Sequence, residues 1–396
     1  MIDKIKRVFL VLSSRGGAAG LALLSSIFIT RELSSEQSGS YFTVIAYSLF
    51  YSTVVSFGAN GVSLLLSAKN TISSLSIAVY NIKCMAFRSF LFLPVFILFT
   101  ILDFFPYQFN FYVFLIGAGF ALSQSLQYIL IANNKQVEAY FIHGCLSNVF
   151  IIIGVLTKDI DLALFFHVLS FFITSLLQFL IIKKNSPLEI SIISNEFTSK
   201  DRFNYFQQDA LGQIYTSLTL VFASWYLKPH DIAILAVLLK LSSVCNIFIG
   251  AVNTVFYPDA IKMYMSGHLT ALKHLWFKNA LLNVIFVMLY SLVLWFSWSF
   301  IIKTFKLEVN YFNSLALNFA YIFVGLSAFS QLFLNSTGKS GVVKNATWFT
   351  CFIGSVLINV TALLFGYDFV VYSLSLTLVI QSSITIYHCN DLSRGK

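Results

Sequence analysis

Charge is scarce in this chain: Lys, Arg, Asp and Glu together make up 10% of its 396 residues, against about a quarter in soluble globular domains. That excludes an ordinary water-soluble domain, as do the 58% hydrophobic share and the mean hydropathy of +0.82. Cysteine is sparse and scattered (Cys84, Cys145, Cys245, Cys351, Cys389), with no CxxC pair and no His at ligand spacing. Neither a disulfide frame nor a zinc or other metal site is expected, and the five thiols read as small core hydrophobes. No P-loop, GxSxG or HExxH occurs, so those ATPase and hydrolase signatures are missing and no catalytic residue or cofactor is called for. The short alternating segments of about 10 residues that build a membrane barrel do not dominate. The basic start "MIDKIKRVFLVLSS" lacks a small-x-small cleavage site, so it reads as a retained first helix.

What the chain has instead is long apolar runs. A bilayer core about 30 Å thick takes about 20 residues of helix, and segments of that size fall near 8–30, 39–66, 84–102, 111–132, 138–157, 162–182, 205–227, 232–256, 275–302, 312–334, 345–366 and 369–388. The expectation is an all-α polytopic membrane protein with twelve transmembrane helices. Twelve is even, so both termini share a side. Of the 25 Lys and Arg, 18 fall in the termini, connections and flanks on that side and five (Arg31, Lys158, Lys228, Lys303, Lys306) on the other. Positive charge collects in cytoplasmic loops, which makes both termini cytoplasmic. The same distribution accounts for the net charge of +9 without a nucleic-acid partner.

The longest polar connection, "KKNSPLEISIISNEFTSKDRFN" at 183–204, follows the sixth segment. It divides the chain into a first lobe at 1–184, a cytoplasmic linker at 185–204 and a second lobe with a short tail at 205–396. The halves resemble each other. An offset of 194 lays "ITRELSSEQSGSY" (29–41) over "ASWYLKPHDIAIL" (223–235), and Lys69 near Lys262. Further on, "LSQSLQ" (122–127) lies over "LSAFSQ" (326–331), with Lys135 over Lys339. Two six-helix halves of equal orientation are related by an axis along the membrane normal.

Three charges lie inside expected spans: Arg15, Asp209, which the 194 offset lays over Arg15, and Lys240. A charge at such depth costs about 2.5–3.5 kcal/mol even on lenient insertion scales, so it faces a wet interior or a partner. Arg15, roughly 10 Å into its span at 1.5 Å per residue, can snorkel, pair with Asp209 across the lobe interface, or line a cavity and meet an anionic substrate. Lys240 reads as a buried lysine or a second cavity cation. Asp209 can couple transport to protons or sodium, gate, or stabilise the first turn of its helix. Gly16 and Gly20 stand four apart, a spacing that permits close helix packing or hinging. His143 and His167 read as hydrogen-bonded core histidines, and Gln127 and Gln331, at matched positions, as interhelical hydrogen bonds or sugar contacts.

With these features the chain resembles the polysaccharide-transporter branch of the multidrug/oligosaccharidyl-lipid/polysaccharide flippase superfamily, and within it the O-antigen flippases of Wzx type. The stretch "FITRELSSEQSGSYFTVIAYS" (28–48) carries the likeness: Arg31, Leu33, Gly39 and Tyr41 fit the family's turn after helix 1, while Ser34 stands where relatives often place Gly. Lipid II flippases of the superfamily usually add two C-terminal helices beyond the twelve expected here. The resemblance implies a two-lobed, ion-coupled flippase that moves an undecaprenyl-diphosphate-linked oligosaccharide between leaflets of the bacterial inner membrane. Membrane lipids are its surroundings, and an O-antigen polymerase and a chain-length regulator its expected partners. Arg15 and Lys240 would hold the diphosphate, with Arg31, Gln127 and Gln331 as secondary candidates. A multidrug or cation antiporter and an O-antigen polymerase remain the alternatives, the latter weakened by short outer connections.

Overall fold

The structure is a computed structural model that describes residues 2–69, 72–101, 107–133, 135–186, 199–336 and 340–393, with some side chains inside the helices left undescribed. It divides by contact into two units, Met1–Gln213 and Ile214–Lys396. That boundary falls within the span expected at 205–227.

In the first unit α1 (Ile2–Glu32) is followed by α2 (Ser35–Ser56). A capping box sets the start of α2: the Ser34 hydroxyl accepts from the Gln37 amide, and the Gln37 side chain accepts from the Ser34 amide. The helix stops at Phe57 (φ 43°) and Gly58 (φ 71°), both left-handed, and α3 (Ala59–Lys69) continues the segment. Then come α4 (Ser74–Ile101), α5 (Tyr107–Ala132), the short α6 (Gln136–Tyr140), a π-helical turn at Phe141–Leu146, α7 (Ser147–Val155) and α8 (Ile160–Asn185). The Asp159 carboxylate caps α8, and Lys183 and Lys184 sit in its last turn, where cations complement the helix dipole. After 187–198, α9 (Ser199–Gly212) packs on α2 and α3. A Cβ at Gly58 would lie 2.3 Å from the Arg202 carbonyl oxygen, and one at Gly61 2.4 Å from the Tyr205 ring, so both glycines are needed for α9 to seat.

A 3-10 turn (Gln213–Tyr215) precedes α10 (Ser217–Ser224). The second unit continues with α11 (Pro229–Met265), α12 (Leu269–Phe305), α13 (Tyr311–Ser336), α14 (Ser340–Phe365) and α15 (Tyr367–Ser393). The packing repeats what the sequence offsets suggested. In the first unit α5 lies against α2, α4 and α8; in the second, α13 lies against α11, α12 and α15. The fourth segment of each half is thus the post around which its second, third and sixth are set.

Among the described residues nine helices are long and apolar enough to cross a membrane: those built on α4, α5, α6 to α7, α8, α11, α12, α13, α14 and α15. Helices also cover the other three expected segments, 8–30, 39–66 and 205–227. The first of these carries Arg15; the second is broken at Phe57–Gly58 and the third at the 3-10 turn. The surface fits an apolar solvent. Phe87, Phe90, Leu91 and Ile97 are exposed along α4, and Phe277, Leu289, Val293 and Phe296 along α12. Between helices the buried side chains include many Ser, Thr, Asn and Gln. Such polar and small residues bind helices together where burial of apolar surface gives no advantage over lipid. In the second unit, for example, the Asn283 amide donates to Asn279 Oδ1 (3.0 Å) and to the Gly325 carbonyl (3.1 Å).

Candidate functional site

Arg15 is half-buried on α1, and α6 supplies its partner. One Nη of Arg15 donates to the Tyr140 hydroxyl, and the guanidinium carbon stands 4.6 Å from the centre of the Tyr140 ring. The same side chain therefore holds the cation twice, by hydrogen bond and by cation–π attraction, the latter worth about 0.5–2 kcal/mol. The backbone brings them together. A Cβ at Gly144 would lie 2.4 Å from that of Ala18, so α1 and the π-helical turn approach to a distance that only glycine permits. Higher up α1, the Ser25 hydroxyl donates to Asn148 Oδ1 at 2.9 Å. A π turn inserts one extra residue into the helical ladder and recurs at functional sites. Here Tyr140 precedes it and faces α1, while His143 within it faces the unit's interior.

His143 Nδ1 is 2.8 Å from the Ser123 hydroxyl, which also contacts Thr174 Oγ1 (3.1 Å) and Gln178 Oε1 (3.3 Å). His167 Nδ1 is 2.6 Å from the Tyr41 hydroxyl. Both histidines are thus hydrogen-bonded core residues. No three His, Cys, Asp or Glu side chains converge among the described residues.

Asp209 lies on α9 in the same unit as Arg15, but among the described residues no ion pair joins the two; Lys158 pairs with Glu32 at 3.7 Å. Asp209 groups by contact with the first unit, and the partner found on Arg15 is the Tyr140 phenol. Asp209 Oδ2 is buried without a hydrogen-bond partner among the described residues. Tyr128, on α5, is in electrostatic reach of Asp209, Tyr140 and Arg15. Arg15, Tyr128 and Tyr140, with Asp209, thus form one electrostatically linked group in the first unit.

The glycines are a correction to the sequence reading. Gly16 and Gly20 are exposed, and a Cβ on either would meet nothing within 4 Å. The close approach that their spacing suggests falls instead on Ala18 and Gly144, on another face of α1. Lys240 is exposed on α11 in the second unit, where its carbonyl accepts from the Ser243 hydroxyl at 2.7 Å. Arg31 is exposed in the last turn of α1. Gln127 is buried on α5; Gln331 is on α13 with its side chain outside the described residues. The amide bridge found on α5 uses another residue, with Asn60 Nδ2 donating to Gln124 Oε1 at 3.0 Å.

Two arginines counted with the cytoplasmic flanks are integral to the first unit. Arg88 donates to the carbonyls of Val55 (3.0 Å) and Ser56 (2.9 Å), which the break in α2 leaves free, and lies 5.1 Å from the Phe57 ring. Arg202 is buried with its guanidinium 4.8 Å from the Tyr80 ring. Nothing in the sequence distinguished Tyr140 or Tyr80 among nineteen tyrosines; Tyr140 stands just before the π turn, and Tyr80 meets Arg202 of α9.

No protein-family model matches the chain, and no curated protein matches it in sequence. Solved structures do match its fold. A lipid II flippase, MurJ, in an inward closed conformation aligns over 96% of this chain and 87% of its own, with a TM-score of 0.74 and 17% identity. An inward-facing multidrug-resistance MATE family transporter of the MOP superfamily aligns over 98% of each chain (TM-score 0.73, 10% identity). A mutant form of the Vibrio cholerae MATE transporter VcmN aligns over 99% of this chain and 96% of its own (TM-score 0.62, 14% identity). The fold is therefore that of the MATE and MurJ transporters, a multi-pass membrane architecture.

Proposed function

We propose that this chain is a flippase for a lipid-linked oligosaccharide whose headgroup is anchored by a diphosphate, of the undecaprenyl-diphosphate-linked O-antigen type, moved from the cytoplasmic to the periplasmic leaflet of a bacterial inner membrane. The observation that carries this reading is Arg15. It is a guanidinium in an apolar segment, seated on Tyr140, with no carboxylate paired to it among the described residues. Such a group calls for an anionic cargo. Guanidinium binds phosphate oxygens through a planar fork, and a diphosphate offers several oxygens to it. The likeness to MurJ, whose name gives a lipid-linked substrate, supports the same reading.

The mechanism follows from solvation. A sugar headgroup cannot cross hydrocarbon without a hydrated path, whereas a polyprenyl tail can stay in lipid throughout. Twelve spans in two six-helix lobes, both termini cytoplasmic, give alternating access to such a path. Arg15 supplies the fork, and Lys240 is a further candidate, as a point charge. Asp209 is the candidate coupling group for a proton or sodium gradient, its unpartnered oxygen being free to take a cation or a proton. A polymerase and a chain-length regulator would act on the product of the flip.

A second reading, a multidrug or cation antiporter, is favoured by the MATE likeness and by Asp209 in the first unit. The two separate in one experiment. Deletion of the gene in its host, with surface polysaccharide resolved on a gel, should abolish laddering and leave resistance to cationic drugs unchanged. Retained laddering with lost resistance would reverse the assignment. Complementation by Arg15→Ala should fail at normal protein levels, while Arg15→Lys, which keeps the charge and loses the fork, should restore part of the ladder.

A further inference from the structure

We infer that Tyr140 is a positioning and selectivity residue for the anion: its ring seats Arg15, and its hydroxyl stands where a phosphate oxygen of the ligand binds. The inference rests on the assignment of Arg15 to the anion site and extends it to a residue that no sequence feature marks.

The argument starts from donors. A guanidinium has five N–H groups, and the Tyr140 hydroxyl takes one Nη of Arg15 while the ring covers one face at 4.6 Å. A phenol is a neutral acceptor. A carboxylate in that place would neutralise the guanidinium and bind it more strongly, because it can accept two parallel N–H bonds and carries the opposite charge, neither of which a phenol offers. Tyr140 therefore holds the cation in one pose and leaves its charge uncompensated. Phosphate oxygens, being charged, outcompete the phenol oxygen for the same N–H, while the ring remains under the guanidinium. The carboxylate in this neighbourhood, Asp209, reaches Tyr128 electrostatically and does not pair with Arg15.

One close approach keeps this arrangement in place, and one gap beside it leaves room for a ligand. The Gly144–Ala18 approach fixes the distance from the π-helical turn to α1, and Tyr140 is the residue just before that turn. Beside Arg15 in the chain, Gly16 is exposed and has no atom within 4 Å of where a Cβ would stand. The backbone next to the cation is bare, which leaves room for a bulky diphosphate.

The ring and the hydroxyl thus have opposite effects on affinity. Without the hydroxyl, the ligand no longer displaces a bound acceptor; without the ring, the fork loses its seat. Binding of farnesyl diphosphate to the purified full chain in detergent tests both. Y140F should bind about two- to fivefold tighter than the unaltered protein, as expected for removing one competing hydrogen bond. Y140L should bind about tenfold more weakly, as expected for losing the stacked ring. R15A should not bind. A role in folding alone would weaken both tyrosine variants or neither, and that result with R15A inactive overturns the inference while leaving the anion site at Arg15. If R15A binds like the unaltered protein, or the unaltered protein does not bind, the anion-site reading falls and this inference with it. Should Y140L fail to fold, Y140F decides alone, since it keeps the ring and the volume.

Discussion

At the scale of the residue, small side chains matter by where they stand, not by their spacing. Gly16 and Gly20 have the sequence signature of a packing motif and open space where Cβ atoms would be. Gly144, which no pattern singled out, has a helix against it. Gly144→Ala should therefore lower the thermal midpoint of the purified protein and impair complementation, while Gly16→Ala and Gly20→Ala leave the midpoint within error. Overpacking of this kind costs about 1–3 kcal/mol. Gly58→Ala should be at least as damaging, because a Cβ there is both strained at φ 71° and 2.3 Å from the Arg202 oxygen. The charged residues were legible for the opposite reason. An arginine inside an apolar run is visible in any reading of the sequence, whereas its partner Tyr140 is picked out by the extra residue of a π turn, which leaves no compositional trace.

At the scale of the element, the broken second segment shows how a membrane helix is interrupted without leaving its polar groups bare. The carbonyls of Val55 and Ser56 lose their helical partners at the break and gain the Arg88 guanidinium. Phe57, left-handed at φ 43°, stacks at 4.9 Å on Phe206 of α9. An unmet buried carbonyl costs about 1–3 kcal/mol, so Arg88→Met, of similar length, should destabilise the protein by a few degrees in a thermal melt. Arg88→Lys should recover only part, since an ammonium can take over the two bonds that one Nη makes but not the planar contact with the Phe57 ring. From the sequence Arg88 was one more cation at an inner flank. Its role depends on a break in another helix some thirty residues earlier, and that break is set by the left-handed pair Phe57–Gly58, not by any proline.

At the scale of the whole molecule, the order of apolar segments and the half-repeat were the most readable features. Helices cover each expected segment, and α5 and α13 occupy matching posts in their units. Composition places a linker in the polar run at 185–204, and the helix that follows it, α9, packs on the first unit through Gly58, Gly61 and the clustered rings of Phe57, Phe203 and Phe206. Polarity marks where the chain can leave the membrane, and shape complementarity decides which unit a helix joins. Asp209 gains its proposed role from this. Asp209→Asn should weaken the dependence of transport on the ion gradient while leaving farnesyl diphosphate binding in place; unchanged ion dependence removes it from coupling.

The placement of α9 also sets a timetable. Tyr205 follows Gly61 by 144 residues, and ribosomes deliver about 5–20 residues per second. The groove made by Gly58 and Gly61 therefore waits about 7–30 s after synthesis for its own chain to fill it. Throughout that interval the first half is inserted yet unfinished, and it is then that a chaperone or a quality-control protease would meet it.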